Sequence, residues 1–255
     1  LLLIQEDYPV AAQYASWALL GSHDTERIRT ALGSAAKQKL AAIFQFSHIG
    51  PPVIWAGDEL GMTGGNDPDN RRSMEWNLAT GGNEVLTLYK TLIHARTTYT
   101  PLAQGWITSL LVGNDIYAYG REISAGSFTS DAVIVLNRAA ANADVTIDVS
   151  LLPGLAVGEK LSDALTGNVY TVSPDRTISL TVSALNGVIL VNSVADLDGD
   201  GDVDFKDFAA LAAQWMKDNC VAPDWCAGCD LNKSGVVDIQ DLFQWAQSWL
   251  LNRNL

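Results

Sequence analysis

Three stretches hold side chains whose types and spacing suit chemistry. The first is Leu20-Gly21-Ser22-His23-Asp24-Thr25-Glu26-Arg27, where a His and an Asp stand together just past a glycine. A fixed carboxylate stabilises positive charge that develops in a transition state, and an imidazole beside it exchanges hydrogen bonds near neutral pH. An ordinary loop contact is the plain alternative for such a pair. The second, Gly64-Gly65-Asn66-Asp67-Pro68-Asp69-Asn70-Arg71-Arg72, puts Asp67 and Arg71 four residues apart. An acceptor-only carboxylate and a planar guanidinium can engage adjacent polar groups of a ligand. A salt bridge bracing the loop is the alternative there. Asp58-Glu59 close an apolar run and read as support for its end.

The third is an acidic tail. Asp196, Asp198, Asp200, Asp204 and Asp207 occupy loop positions 1, 3, 5, 9 and 12, with Gly201 at 6 and Asp202 at 7 offering its carbonyl. That is the donor order of an EF-hand calcium loop, with Asp in place of the final Glu. Asp230, Asn232, Ser234, Val236 (through its carbonyl), Asp238 and Asp241 repeat it 34 residues later. The offset extends to Phe208, Leu211 and Trp215, which correspond to Leu242, Trp245 and Trp249. A tetratricopeptide array shares this period, but two copies lacking its residue pattern argue against it. Clustered aspartates repel without a cation, so Ca2+ binding and folding should be coupled here. The second loop has fewer carboxylates and should bind more weakly.

All three cysteines, Cys220, Cys226 and Cys229, lie between the two repeats. Zinc usually takes four ligands and no His is near, so a disulfide in an exported protein is the better reading. Cys220–Cys226, which would staple the Pro223-Asp224-Trp225 turn, is the first choice, although spacing does not settle the pairing.

The elements that must position these residues come in two grammars. Trp17–Leu20 and Val53–Gly57 are short apolar runs with the look of buried parallel strands. Residues 35–46 and 83–98 carry apolar residues at helical spacing, Leu40, Ile43 and Phe44 in one and Val85, Leu88, Leu92 and Ile93 in the other. Strand–helix–strand–helix, with acidic residues after each strand, is the pattern of two β/α units. A closed β/α barrel needs eight units and about 250 residues, so residues 1–99 should be its last quarter. From Trp106 to Asn192 short alternating segments separated by turns predict an antiparallel β-sandwich, assigned to residues 100–193, whose expected role is packing against the barrel or accessory contact.

The first hundred residues resemble the α-amylase superfamily of glycoside hydrolases (family 13), in particular its neopullulanase, cyclomaltodextrinase and maltogenic amylase group. The likeness rests on Leu20 to Arg27, on Gly50-Pro51-Pro52-Val53-Ile54-Trp55-Ala56-Gly57-Asp58-Glu59-Leu60-Gly61-Met62, and on Gly64 to Arg72, in that order. Tyr117-Ala118-Tyr119-Gly120-Arg121 and Val135-Leu136-Asn137-Arg138 resemble the C-terminal sheet domain of that family. The resemblance implies that Asp24 is a catalytic, transition-state-stabilising carboxylate. It implies that His23 binds sugar at the cleavage subsite, and that Asp67 and Arg71 hold the next sugar. Trp55 and Trp76 could stack on sugar, with core packing the better reading for Trp55. The nucleophile and acid/base of a retaining mechanism would lie on earlier strands, so this chain alone should be inactive. Residues 194–255 resemble a type I dockerin, which implies calcium-dependent docking onto a cohesin domain. Loop positions 10 and 11, where that family selects its partner, are Phe205-Lys206 and Ile239-Gln240 here.

The expected parent is a retaining hydrolase of α-1,4-glucans such as starch, maltodextrin, cyclodextrin or pullulan. An α-glucan transglycosylase and a non-catalytic dockerin-bearing adaptor or glucan-binding protein are the alternatives. The net charge of −13 disfavours nucleic acid and anionic membrane as partners. Residues from Val194 onward carry 11 acidic against 4 basic side chains, so the tail holds about half of that charge. No apolar run is long enough to span a bilayer. The dockerin likeness and the cysteines imply an extracellular or cell-surface location.

Overall fold

The computed structural model describes residues 7–125, 128–192, 195, 197, 203–221, 225–232 and 234–248. The chain opens with α1 (Val10–Ala15), β1 (Ala18–Leu19), α2 (Ile28–Leu32), α3 (Ala35–Ser47), β2 (Pro52–Val53), α4 (Glu84–Thr98) and α5 (Thr100–Gln104). β1 and β2 pair in parallel, Ala18 opposite Pro52 and Leu19 opposite Val53. Both strands are shorter than the apolar runs that announce them, and Leu19 is 52% exposed because β2 alone lies beside β1. α3 starts at Ser34, whose hydroxyl accepts from Lys37 N–H at 3.2 Å, and Pro51 and Pro52 follow its end. α4 starts at Asn83, whose carbonyl oxygen caps Val85 and Leu86 N–H. The same side chain donates back to Leu60 O and Leu78 O, tying the helix start to the loop before it. The buried stripe of α4 is Val85, Tyr89, Leu92 and Ala95, while Ile93 faces outward.

Ten strands in all are described. β3 (Trp106–Val112), β4 (Ile116–Ala125), β5 (Phe128–Asn137), β10 (Asn186–Val191), β7 (Lys160–Asp163) and β8 (Val169–Thr171) form one six-stranded antiparallel sheet in that spatial order. β6 (Ala143–Asp148) and β9 (Thr177–Val182) form a second, two-stranded sheet. The large sheet is covered on both faces. Tyr119, Ala132, Ile134, Ile189 and Val191 pack on Ala42, Ile43 and Phe46 of α3 and on α4. Ala118, Val133, Val135, Val188 and Leu190 alternate with them and meet Ile147, Ile178 and Leu180 of the small sheet. Two covered faces explain why residues 132–136 and 188–191 are continuous apolar runs rather than alternating ones. Each buried Val, Ile or Leu side chain in them contributes about 1.5–3 kcal/mol. One core therefore crosses residue 99, and β3 and β7, which lack a clean alternation, are the strands that sequence patterning misses.

Polar groups close the same junction. Arg121, fully buried, donates to Gly105 O and Ser47 O, and Tyr119 OH shares a 2.6 Å hydrogen bond with Ser47 Oγ. Arg96 donates to Phe46 O, His48 O and Gly50 O, which satisfies carbonyls at the end of α3.

The tail has α6 (Phe205–Ala213) and α7 (Ile239–Ser248). Val203, Leu211, Leu231, Val237, Trp245 and the three cysteines form its core. Trp215 lies past the end of α6, and Trp249 is outside the described residues. No helix among the described residues is long and apolar enough to cross a membrane.

Asp131, buried in β5, accepts from Gly154 N–H at 2.8 Å. Burial pushes its carboxyl up to about 7, against the pull of Gly154 N–H and with a further push from Glu122 and Glu159. An unfolded Asp titrates near 4, so the folded state holds a proton over pH 4–7 that the unfolded state releases. Its contribution to stability is full below about pH 4 and is lost as pH rises to about 7, on the order of 4 kcal/mol at most. Asp131→Asn should flatten the fall in urea-unfolding free energy across this window. Equal slopes for variant and wild type would refute the assignment.

Candidate functional site

The site begins where β1 runs out. Gly21 is required by close approach, because a Cβ there would lie 2.4 Å from Asp58 Oδ2. Asp58 starts a 3-10 turn, Asp58–Leu60, entered through Gly57 at φ +99°. Arg27 and Asp58 are both buried, with Arg27 Nη1 at 3.5 Å from Asp58 Oδ1 and at 2.9 Å from Ala56 O. Burial raises the Asp58 carboxyl to about 6, and Arg27 holds it below where burial alone would put it. Glu59 accepts from Gly57 N–H at 2.7 Å. Asp58 and Glu59 thus brace the strand ends from beneath.

Residues 22–25 form a turn above them. Asp24 N–H donates to Ser22 Oγ at 3.2 Å, and Ser22 N–H to Thr25 Oγ1 at 3.2 Å. The side chains of His23 and Asp24 point outward, 55% and 70% exposed, with His23 Nε2 3.2 Å from Asp24 Oδ1. Arg71 approaches from the 3-10 turn Asp69–Arg71. Its Nη2 is 3.7 Å from Asp24 Oδ1, while its Nε is 2.8 Å from Asp67 Oδ2 and 3.2 Å from His23 O. His23, Asp24, Asp67 and Arg71 are therefore one cluster on two facing loops. Trp55 is half-buried with its ring 5.9 Å from that of His23, beside the cluster and not in the main core. Trp76 is 73% exposed.

The two loops are held together by residues that the sequence does not single out. Asn70 is buried and donates to His23 O and Thr25 O. Gly64 O accepts from Arg27 N–H, and Gly64 N–H donates to Thr30 Oγ1 on α2. A lone Asn in a loop rich in Asp, Pro and Gly reads as a turn former, and nothing in its spacing marks it as buried. The cluster can do three things: present a carboxylate to a developing cation, offer hydrogen bonds to hydroxyls, and keep a guanidinium between two carboxylates.

In the tail, Asp196, Asp198, Asp200 and Asp202 lie outside the described residues. Asp204 caps α6, its carboxylate accepting from Lys206 N–H, and Asp207 returns the bond by accepting from Asp204 N–H. Asp238 and Asp241 repeat this, with Gln240 N–H and Asp238 N–H as donors. Asp230 is buried and accepts from Ser234 and Gly235 N–H. Gly235, at loop position 6, has φ +97°. Among the described residues no three His, Cys, Asp or Glu side chains converge as a metal site. The second loop fits a calcium ion by its donor chemistry (three carboxylates, an amide, a hydroxyl and the Val236 carbonyl) and by the sharp turn at Gly235. Cys220 and Cys226 are disulfide-bonded with Cα atoms 5.0 Å apart. Cys229 is buried, its Sγ 3.5 Å from Ala210 O.

Residues 4–99 match the family model of the alpha-amylase catalytic domain. The amylopullulanase of Thermoanaerobacter thermohydrosulfuricus is 36% identical over 215 residues, covering 75% of this chain and 14% of that protein. Neopullulanase 2 of Thermoactinomyces vulgaris is 34% identical over 188 residues, covering 72% of this chain and 31% of that protein. The solved debranching enzyme of Nostoc punctiforme is 28% identical with a TM-score of 0.61, covering 74% of this chain and 38% of that one. The chain thus spans well under half the length of each of these relatives.

Gly21→Ala should test how firmly Asp58 is held. The added methyl meets the carboxylate head-on, and overpacking of this kind costs about 1–3 kcal/mol. Urea unfolding should shift to lower denaturant; an unchanged midpoint would mean that Asp58 and Arg27 yield freely.

Proposed function

We propose, taking residues 4–99 as a segment of an α-amylase-family catalytic domain, that the chain contributes Asp24 to a retaining α-glucan hydrolase. The observation that supports this best is the single cluster of His23, Asp24, Asp67 and Arg71 beyond the parallel strand pair. Cleavage of a glycosidic bond passes through an oxocarbenium-like transition state. Asp24 lies exposed in the cluster and stabilises that charge, while His23, Asp67 and Arg71 hold sugar hydroxyls. A retaining reaction needs a nucleophile and an acid/base as well, and these are assigned to other strands of the same catalytic domain. Substrates are α-1,4-linked glucans, with hydrolysis favoured over transfer. In the full-length polypeptide, Asp24→Asn should lower kcat on maltodextrin about 100- to 1,000-fold, the scale of removing one transition-state contact. Hydrolysis at the wild-type rate would end this reading.

The tail, on this view, is a dockerin that attaches the enzyme to a cohesin. Asp230, Asn232, Ser234, Val236, Asp238 and Asp241 would hold one Ca2+, and the first loop a second. Phe205 and Ile239, at equivalent positions of the repeat, are 70% and 64% exposed. The Cys220–Cys226 disulfide supports a place outside the cell or on its surface. Chelation should remove both the helical circular dichroism of residues 195–251 and capture on an immobilised type I cohesin. Capture that survives chelation would exclude calcium-dependent docking.

A further inference from the structure

The turn that carries Asp24 is weakly held by its own hydrogen bonds. Asp24 N–H reaches Ser22 Oγ at 3.2 Å, Ser22 N–H reaches Thr25 Oγ1 at 3.2 Å, and Thr25 N–H reaches Ser22 O at 3.5 Å. Catalysis needs its groups held to within about 0.5 Å, so something else must set this turn. The two carbonyls that flank Asp24, His23 O and Thr25 O, both accept from Asn70 Nδ2 at 2.8 Å. Asn70 is 1% exposed, and its Oδ1 has no hydrogen-bond partner among the described residues. Its polar work is donation to those two carbonyls.

Asn70 is itself backed by an anchored glycine. A Cβ at Gly64 would lie 3.0 Å from Asn70 Cα and 2.7 Å from Asp69 O, so only glycine lets the turn settle there. Gly64 is fixed in turn by Arg27 N–H and Thr30 Oγ1. An apolar side chain at 70 would fill the space but leave Thr25 O without its donor and His23 O with only the longer 3.2 Å bond from Arg71 Nε.

We propose that Asn70 is a positioning residue for Asp24, fixing the main chain on both sides of it so that the carboxylate is set before substrate arrives. The inference rests on the glycosidase reading of Asp24. It is distinct from sugar contact at Asp67 and Arg71, because Asn70 is buried and faces the main chain.

A double-mutant cycle in the full-length polypeptide tests it, with an aryl α-maltoside as substrate and wild type, Asn70→Ala, Asp24→Glu and the double variant as its corners. Asn70→Ala should lower kcat about 100-fold, the scale of an ångström of misplacement, with KM within about threefold of wild type. In the Asp24→Glu background, where the carboxylate is already displaced, the same change should cost less than about twofold. An equal loss in both backgrounds would make Asn70 a packing residue and overturn the proposal, as would wild-type kcat in Asn70→Ala. Should Asn70→Ala not fold, Asn70→Ser carries the same cycle. If Asp24→Glu leaves kcat unchanged, or the wild type does not cleave, the glycosidase reading fails and the role of Asn70 falls with it.

Discussion

Where a strand or helix runs out into a loop, its last carbonyls lose their partners and must find donors. In this protein buried and half-buried side chains supply them. Arg27 donates to Ala56 O, Arg96 to three carbonyls at the end of α3, Arg121 to Ser47 O and Gly105 O, and Asn70 to His23 O and Thr25 O. Guanidinium and amide groups suit the task because each offers several donors in a fixed plane. Removing Arg121 would strand two acceptors in the buried interior, and removing one of the others would leave part-buried carbonyls short of a donor. The exposed cluster around Asp24 is therefore only as well placed as the buried donors beneath it.

The same logic gives the sheet domain a role in the site. Arg121 reaches from β4 to the end of α3, and Tyr119 bonds Ser47 on that helix. α3 in turn donates from Gln45 to Ala18 O and Val53 O, one on each parallel strand. A chain of packed and hydrogen-bonded groups thus runs from the centre of the large sheet to the two strands that carry the site. The sheet holds none of the candidate chemistry, yet it covers the outer face of the helices that position those strands.

The tail obeys a local rule instead. Each helix starts at an aspartate at loop position 9 whose own N–H is bonded by another aspartate at position 12, the same reciprocal cap in both repeats. Its core is small, and the Cys220–Cys226 disulfide closes the connector inside it. Domains of this size draw on such staples because their apolar cores are limited.

Much of this was legible in the sequence because it depends on local pattern. The two short parallel strands, the helices over residues 35–46 and 83–98, most of the strands from 116 to 191 and the repeat in the tail follow from spacing and residue type, whereas His23, Asp24, Asp67 and Arg71 stand out through their likeness to a family motif. Sequence alone missed α2, α5, β3 and β7, and read Val53–Gly57 as strand where only Pro52–Val53 pairs. It passed over Asn70, and could not tell that Trp55 lies beside His23 rather than in the core. Spacing along the chain marks which residues can do chemistry. Which carbonyls need donors, and which buried side chains face them, depends on loops far apart in sequence meeting in space, and only the tertiary structure decides that.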